Sequence, residues 1–167
     1  LNHSLSEGGM DTLFIAMLLN SDEEAVGRLL KHPRSNITLS DAGAHLTFFN
    51  DAGYGLYMLE KWVREKNLMS KEKAIYNLTG KQADIYRIDQ RGRLVPGQYA
   101  DMMLIDFDKV GVSKTYRVND LPGGSSRLNI DGHGIHSVWI NGEKIFSENS
   151  IIDNKNLPGK VLRGFHA

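Results

Sequence analysis

The stretch Ile37-Thr38-Leu39-Ser40-Asp41-Ala42-Gly43-Ala44-His45 decides how this chain is read. Its branched residues favour an extended backbone, and the run stops on an acid in a loop of small residues. A carboxylate at the carboxyl end of a parallel strand is where α/β barrels gather their chemistry, because the βα loops converge there on one mouth. The expectation is a strand over Asn36–Leu39 with Asp41 at its end.

Outward from that stretch, helix signals lie on both sides. Ser21-Asp22-Glu23-Glu24 fits a capping box with Ser21 as N-cap, and Ala25, Val26, Leu29 and Leu30 form one apolar stripe that ends at His32-Pro33. Leu56, Leu59, Trp62 and Val63 recur at helical spacing, which predicts an amphipathic helix over roughly Gly55–Lys66. Tyr57, Met58 and Trp62 read as core, and the Lys/Glu run from Lys61 to Lys73 as a solvated face. Ser70 can cap a third helix to about Leu78, with Gly80 as its left-handed stop. Leu13–Leu19 fits either a buried strand or a helix, and strand is preferred.

Beyond Tyr86 the texture turns to β. Pro96-Gly97 suits a type II turn, and Met102–Ile105 reads as a strand buried on both faces. Short β runs follow over Val112–Val118 and Val138–Ile140, and the Asn141-Gly142 hairpin signal leads into Lys144–Phe146. The expected organisation is therefore 1–85 as helix and strand units, 86–152 as a small β-sandwich and 153–167 as a tail.

Composition bounds the class. With 167 residues, 41% hydrophobic and 24% charged, the chain is an ordinary globular one. Its 20 basic and 20 acidic side chains cancel, so no field gathers nucleic acid or an anionic membrane surface. The absence of Cys excludes a disulfide framework and thiolate metal sites, and makes the cytoplasm the expected compartment. Leu13–Leu19 is too short for a membrane span and lacks the flanks of a signal peptide. The chain opens on Leu1 rather than Met, which points to a processing or fragment boundary.

A closed (β/α)₈ barrel needs roughly 250 residues, whereas the first half here supplies about two βα units. By these arguments the chain is either part of a larger barrel or a self-contained α/β layer with a β appendage. Three stretches separate the readings: Ser40-Asp41-Ala42-Gly43-Ala44-His45, Arg91-Gly92-Arg93-Leu94-Val95-Pro96-Gly97-Gln98-Tyr99-Ala100-Asp101 and Asp120-Leu121-Pro122-Gly123-Gly124, with Leu157-Pro158-Gly159-Lys160 in the tail. In order and spacing they resemble the C-terminal portion of the amidohydrolase superfamily, in its N-acyl-D-amino-acid deacylase (D-aminoacylase) branch.

The resemblance implies the end of a TIM-like metal-dependent hydrolase barrel followed by a small β-sandwich. It implies zinc, or another divalent metal, held by histidines on early and middle strands. Asp41 matches the eighth-strand aspartate, both the proton-transfer acid/base and a metal ligand. His45 reads either as lining the same mouth, in contact with substrate or the groups around it, or as a structural hydrogen-bonding residue. The implied substrate is a small N-acyl amino acid, hydrolysed to a D-amino acid and a carboxylate. A cyclic-amide hydrolase, a deaminase of the same superfamily, or a non-catalytic module are the alternatives. The chain departs from the pattern in having His3, His32, His45, His133, His136 and His166 but no His-x-His pair. Alone it is therefore expected to lack a competent metal site, and an unpaired strand edge would favour a homo-oligomer. Other residues read as structural: Asp41 itself fits a loop cap, His133 and His136 are surface histidines, and Pro122–Ser126 is a turn lacking the Lys-Ser/Thr of a phosphate loop.

Overall fold

The computed structural model describes residues 19–147, 150–153 and 157–163. Among the described residues four helical segments precede the strands. The first, α1 (Glu23–Lys31), is capped by Asp22, whose carboxylate accepts from the Ala25 N–H at 3.0 Å. The cap is thus one residue later than Ser21, because Asp22 is the residue with extended backbone (ψ 98°) whose side chain reaches back into the first turn. Gly27 is the buried position of α1, against Trp62 and Leu68, while Leu29 is exposed. The absence of a side chain lets the helix approach the indole there, and this rotates Leu29 out of the expected stripe.

Helix α2 (Tyr54–Tyr57) runs on as a π-helix over Met58–Glu65. The wider turn, in which the Lys66 N–H reaches the Lys61 carbonyl, sets residues five apart on one face. Met58 and Val63 therefore share the buried side with Leu59, and Tyr57 lies outside the core, 44% exposed. Helix α3 (Lys71–Leu78) has Ser70 as N-cap, as its sequence predicts, with Oγ accepting from Lys73 N–H at 3.2 Å. Gly80 does not stop it in a left-handed turn. The chain kinks at Thr79 (φ −129°, ψ −84°) and Gly80 opens another helix, α4 (Gly80–Tyr86), which ends on left-handed Arg87. Gly80 is needed for contact: Gly92 passes so close that a Cβ on Gly80 would lie 3.3 Å from the Gly92 carbonyl oxygen.

The described strands all pair antiparallel. β1 (Met102–Ile105), β6 (Ile135–Ile140), β7 (Glu143–Ser147) and β8 (Ser150–Ile151) form one sheet in the order β1-β6-β7-β8. β2 (Gly111–Val112) pairs with β5 (Gly132–His133), and β3 (Tyr116–Val118) with β4 (Arg127–Asn129). The run Val112–Val118 is thus divided between β2 and β3. The β6–β7 hairpin turns on Asn141 (φ 51°) and Gly142 (φ 84°), the paired positive φ values that a two-residue turn of this hand requires. Gly97 (φ 91°) occupies the third position of a turn closed by Gln98 N–H to the Val95 carbonyl, as expected for type II.

β1 is an edge strand, so it is not buried on both faces: Met103 and Leu104 are about half exposed. The core lies between the helices and the β1–β2 connection, where Met58, Leu59, Val63, Ala74 and Val110 cluster. Arg64 ties these parts together by donating from Nη1 to the carbonyls of Phe107 (3.0 Å) and Val110 (2.6 Å). Nearly all of Leu13–Leu19 lies outside the described residues. Among those described, no helix is long and apolar enough to cross a membrane.

Candidate active site

Residues 36–39 form no strand. The segment is held by side chains where a strand would be held by a neighbouring backbone. Lys81 Nζ donates to the carbonyls of Pro33 (3.1 Å) and Ser35 (2.5 Å), Gln82 Nε2 to Ile37 (3.2 Å) and Tyr54 Oη to Thr38 (3.3 Å). A strand needs a partner with both donors and acceptors in register, and no described segment lies beside this one as a ladder partner. Asp41 accordingly does not end a strand; it follows an irregular segment, at the start of a turn, and is not inside a helix.

The turn has a definite geometry. Asp41 and His45 both take left-handed backbone (φ 55° each), a conformation that costs a non-glycine residue about 1–2 kcal/mol. Ala44 N–H donates to the Asp41 carbonyl at 3.2 Å, and Phe48 and Phe49 N–H both donate to the His45 carbonyl, at 3.0 and 3.1 Å. Ser40 Oγ accepts from Ala42 N–H at 3.2 Å. The carboxylate of Asp41 is exposed, and the His45 ring stacks on Phe48 with centroids 4.9 Å apart. The structure places Asp41 and His45 on one turn, with an open carboxylate and an open imidazole.

Among the described residues it brings no other histidine to them. His32 ends α1 and accepts the Arg34 N–H through Nδ1, whereas His133 lies on β5 with Nε2 4.0 Å from Glu60 and His136 is exposed on β6. His3 and His166 lie outside the described residues. A structural or catalytic zinc takes at least three protein donors, and among the described residues no three His, Cys, Asp or Glu side chains gather to hold a metal. These residues do not make a zinc site; Asp41 offers one oxygen donor.

The support of the turn was not visible in sequence. Leu128 N–H donates to the Leu46 carbonyl (2.9 Å), Asn50 Nδ2 to the Leu128 carbonyl (3.2 Å) and Arg117 Nη1 to the Thr47 carbonyl (3.1 Å). Only Asn50 carried a local signal, the Asx-turn pattern in which its Oδ1 accepts from Ala52 N–H at 3.1 Å. The hairpin beneath is braced at its turn end by Asp120 and Arg127, joined through two parallel bonds of 2.7 Å. The Arg127 guanidinium holds the Asp120 carboxyl below its ordinary value, against a smaller opposing effect of burial.

Residues 8–146 match the amidohydrolase family, and the chain belongs to it. It is 30% identical over 143 residues to the N-acyl-D-aspartate deacylase of Alcaligenes xylosoxydans xylosoxydans, covering 84% of this chain and 26% of that protein. To the N-acyl-D-glutamate deacylase of the same organism it is 29% identical over 152 residues, 89% of this chain and 28% of the relative. The N-acyl-D-glutamate deacylase of Bordetella bronchiseptica, solved with zinc and a phosphonate mimic of the tetrahedral intermediate, superposes with a TM-score of 0.63 at 28% identity, over 86% of this chain and 28% of that one. The chain thus spans about a quarter of the length of the relatives it matches.

Proposed function

We propose that this chain is the carboxy-terminal portion of a zinc-dependent N-acyl-D-amino-acid deacylase, with Asp41 as its proton-transfer group. In that reading the segment to residue 85 belongs to the last units of a (β/α)₈ barrel, and residues 86–152 to a small β-sandwich beside it. The observation that carries it is the family match over residues 8–146, which includes the Asp41 turn, together with identity to two deacylases of acyl-D-amino acids.

The chemistry asked of Asp41 is modest and specific. As water adds to the amide carbonyl, the carboxylate accepts its proton; as the C–N bond breaks, it returns that proton to the departing nitrogen. The products are a carboxylate and a free D-amino acid. Exposure of the carboxylate on a turn leaves both oxygens accessible to a substrate. His45, on the same turn, is assigned a substrate contact. Zinc would rest on histidines outside the described residues, with Asp41 adding one oxygen ligand.

The test is a polypeptide extended at the amino end to the length of the relatives, measured for bound zinc and for amino-acid release from N-acyl-D-aspartate, N-acyl-D-glutamate and their L enantiomers. Stoichiometric zinc and D-selective release are expected. Zinc with release only from a cyclic amide would move the chain to another amidohydrolase activity, and neither zinc nor hydrolysis would make it a non-catalytic module.

A further inference from the structure

The turn that begins at Asp41 has little packing to fix it. Phe48 faces outward, 68% exposed, and two residues of the turn are left-handed without being glycine. Something other than burial must select this conformation. The bonds that do so across the chain come from one place, the register pair Arg117 and Leu128 on the β3–β4 hairpin. Both backbone polar groups of Leu128 go to the turn, to Leu46 and Asn50, so the turn covers the free edge of β4. Directly opposite, Arg117 spans to the Thr47 carbonyl, with Ser126 Oγ 3.4 Å from the same Nη1. Among the described residues Arg117 pairs with no carboxylate; its contacts are neutral oxygens.

We propose that Arg117 is a positioning residue for the deacylation, holding the 41–50 turn on the β3–β4 hairpin so that the Asp41 carboxylate keeps one orientation. The inference rests on the assignment of proton transfer to Asp41. A guanidinium suits the task because it is always charged, its donors are fixed in a plane, and a charge-assisted bond to a carbonyl is stronger than a neutral one. The Asp120–Arg127 fork holds the hairpin, which makes it a rigid support.

The experiment has two readouts on Arg117→Ala and Arg117→Lys. In the chain itself, amide hydrogen exchange at Phe48, Phe49 and Leu128 is expected to quicken roughly tenfold in Arg117→Ala, with the β6–β7 amides unchanged and Arg117→Lys restoring most of the protection. In the zinc-containing hydrolase, kcat is expected to fall about tenfold with KM and zinc content unchanged. Unaltered exchange at those three amides, acceleration spread over β6–β7, or an unchanged kcat would each overturn the positioning role. Failure of the functional reading would show separately, as full turnover in Asp41→Asn.

Discussion

Leu128 N–H donates to the Leu46 carbonyl at 2.9 Å, and through that bond the edge of β4 is closed by the turn that carries Asp41. The candidate catalytic acid therefore depends on two separate parts of the chain. The side chains of Lys81 and Gln82 hold the segment before it, and the β3–β4 hairpin holds the turn after it.

Asn50 closes this arrangement on the hairpin side and also forms its own Asx turn. Asn50→Ala is expected to lower stability by about 1–2 kcal/mol and to increase proteolysis within residues 42–50. Urea unfolding and limited proteolysis check both; an unchanged cleavage pattern would show that the turn is held without it.

Gly92 is where the helical part meets the segment leading to β1. It has φ 84°, and a Cβ there would lie 2.8 Å from Ala83 Cβ and 3.2 Å from the Thr79 carbonyl oxygen. Gly92→Ala is expected to destabilise by about 2–4 kcal/mol, from overpacking added to backbone strain. Gly97, with φ 91° and open space around it, carries the strain alone, so Gly97→Ala should cost only about 1 kcal/mol. Paired denaturant midpoints test the difference.

The pH dependence has a definite sign. The Arg93 guanidinium beside Asp84, and Arg127 beside Asp120, hold those carboxyls below the ordinary 3.8, and the ammonium groups of Lys66 and Lys61 do the same for Glu23 from 4.5. Each pair therefore contributes stability that is complete above the unfolded-state value and is lost as pH falls through the lower folded-state value. Melting temperature should decline as pH falls below the ordinary carboxylate values, and Asp120→Asn should flatten part of that decline. An acid limb of the same depth in the variant would remove this pair from the account.

The chain by itself should bind no stoichiometric zinc and hydrolyse no acyl-D-amino acid, since no metal-binding group of three is present among the described residues. Exposed Met103 and Leu104 on the edge strand β1 favour self-association. Metal analysis with light scattering measures both, and tightly bound zinc in a clean monomer would contradict them.

Local signals in the sequence were faithful where the physics is local. Ser70 caps its helix, Asn141-Gly142 turns its hairpin and Pro96-Gly97 its loop, because each depends on a few neighbouring dihedral angles. The misreadings share a different cause. Tyr57 is turned out of the core by the π-helical turn, Leu29 out of its stripe by the approach of Gly27 to Trp62, and Gly80 opens a helix in contact with Gly92, none of which the neighbouring residues decide. The turn at Asp41 was legible in the small residues that follow it. Arg117 and Leu128 were not, because their role is a register and an edge, and neither leaves a mark in the residues beside them.

The central claim is that Asp41 moves the proton in amide hydrolysis. In the zinc-containing hydrolase, turnover of an N-acyl-D-amino acid by Asp41→Asn, with zinc content and fold measured on the same sample, tests it most directly. A fall in turnover on the order of 100- to 10,000-fold with folding and most of the zinc retained is expected, and a smaller loss for His45→Ala. Unchanged turnover in Asp41→Asn would contradict the claim and leave Asp41 as a residue of its turn with no part in proton transfer.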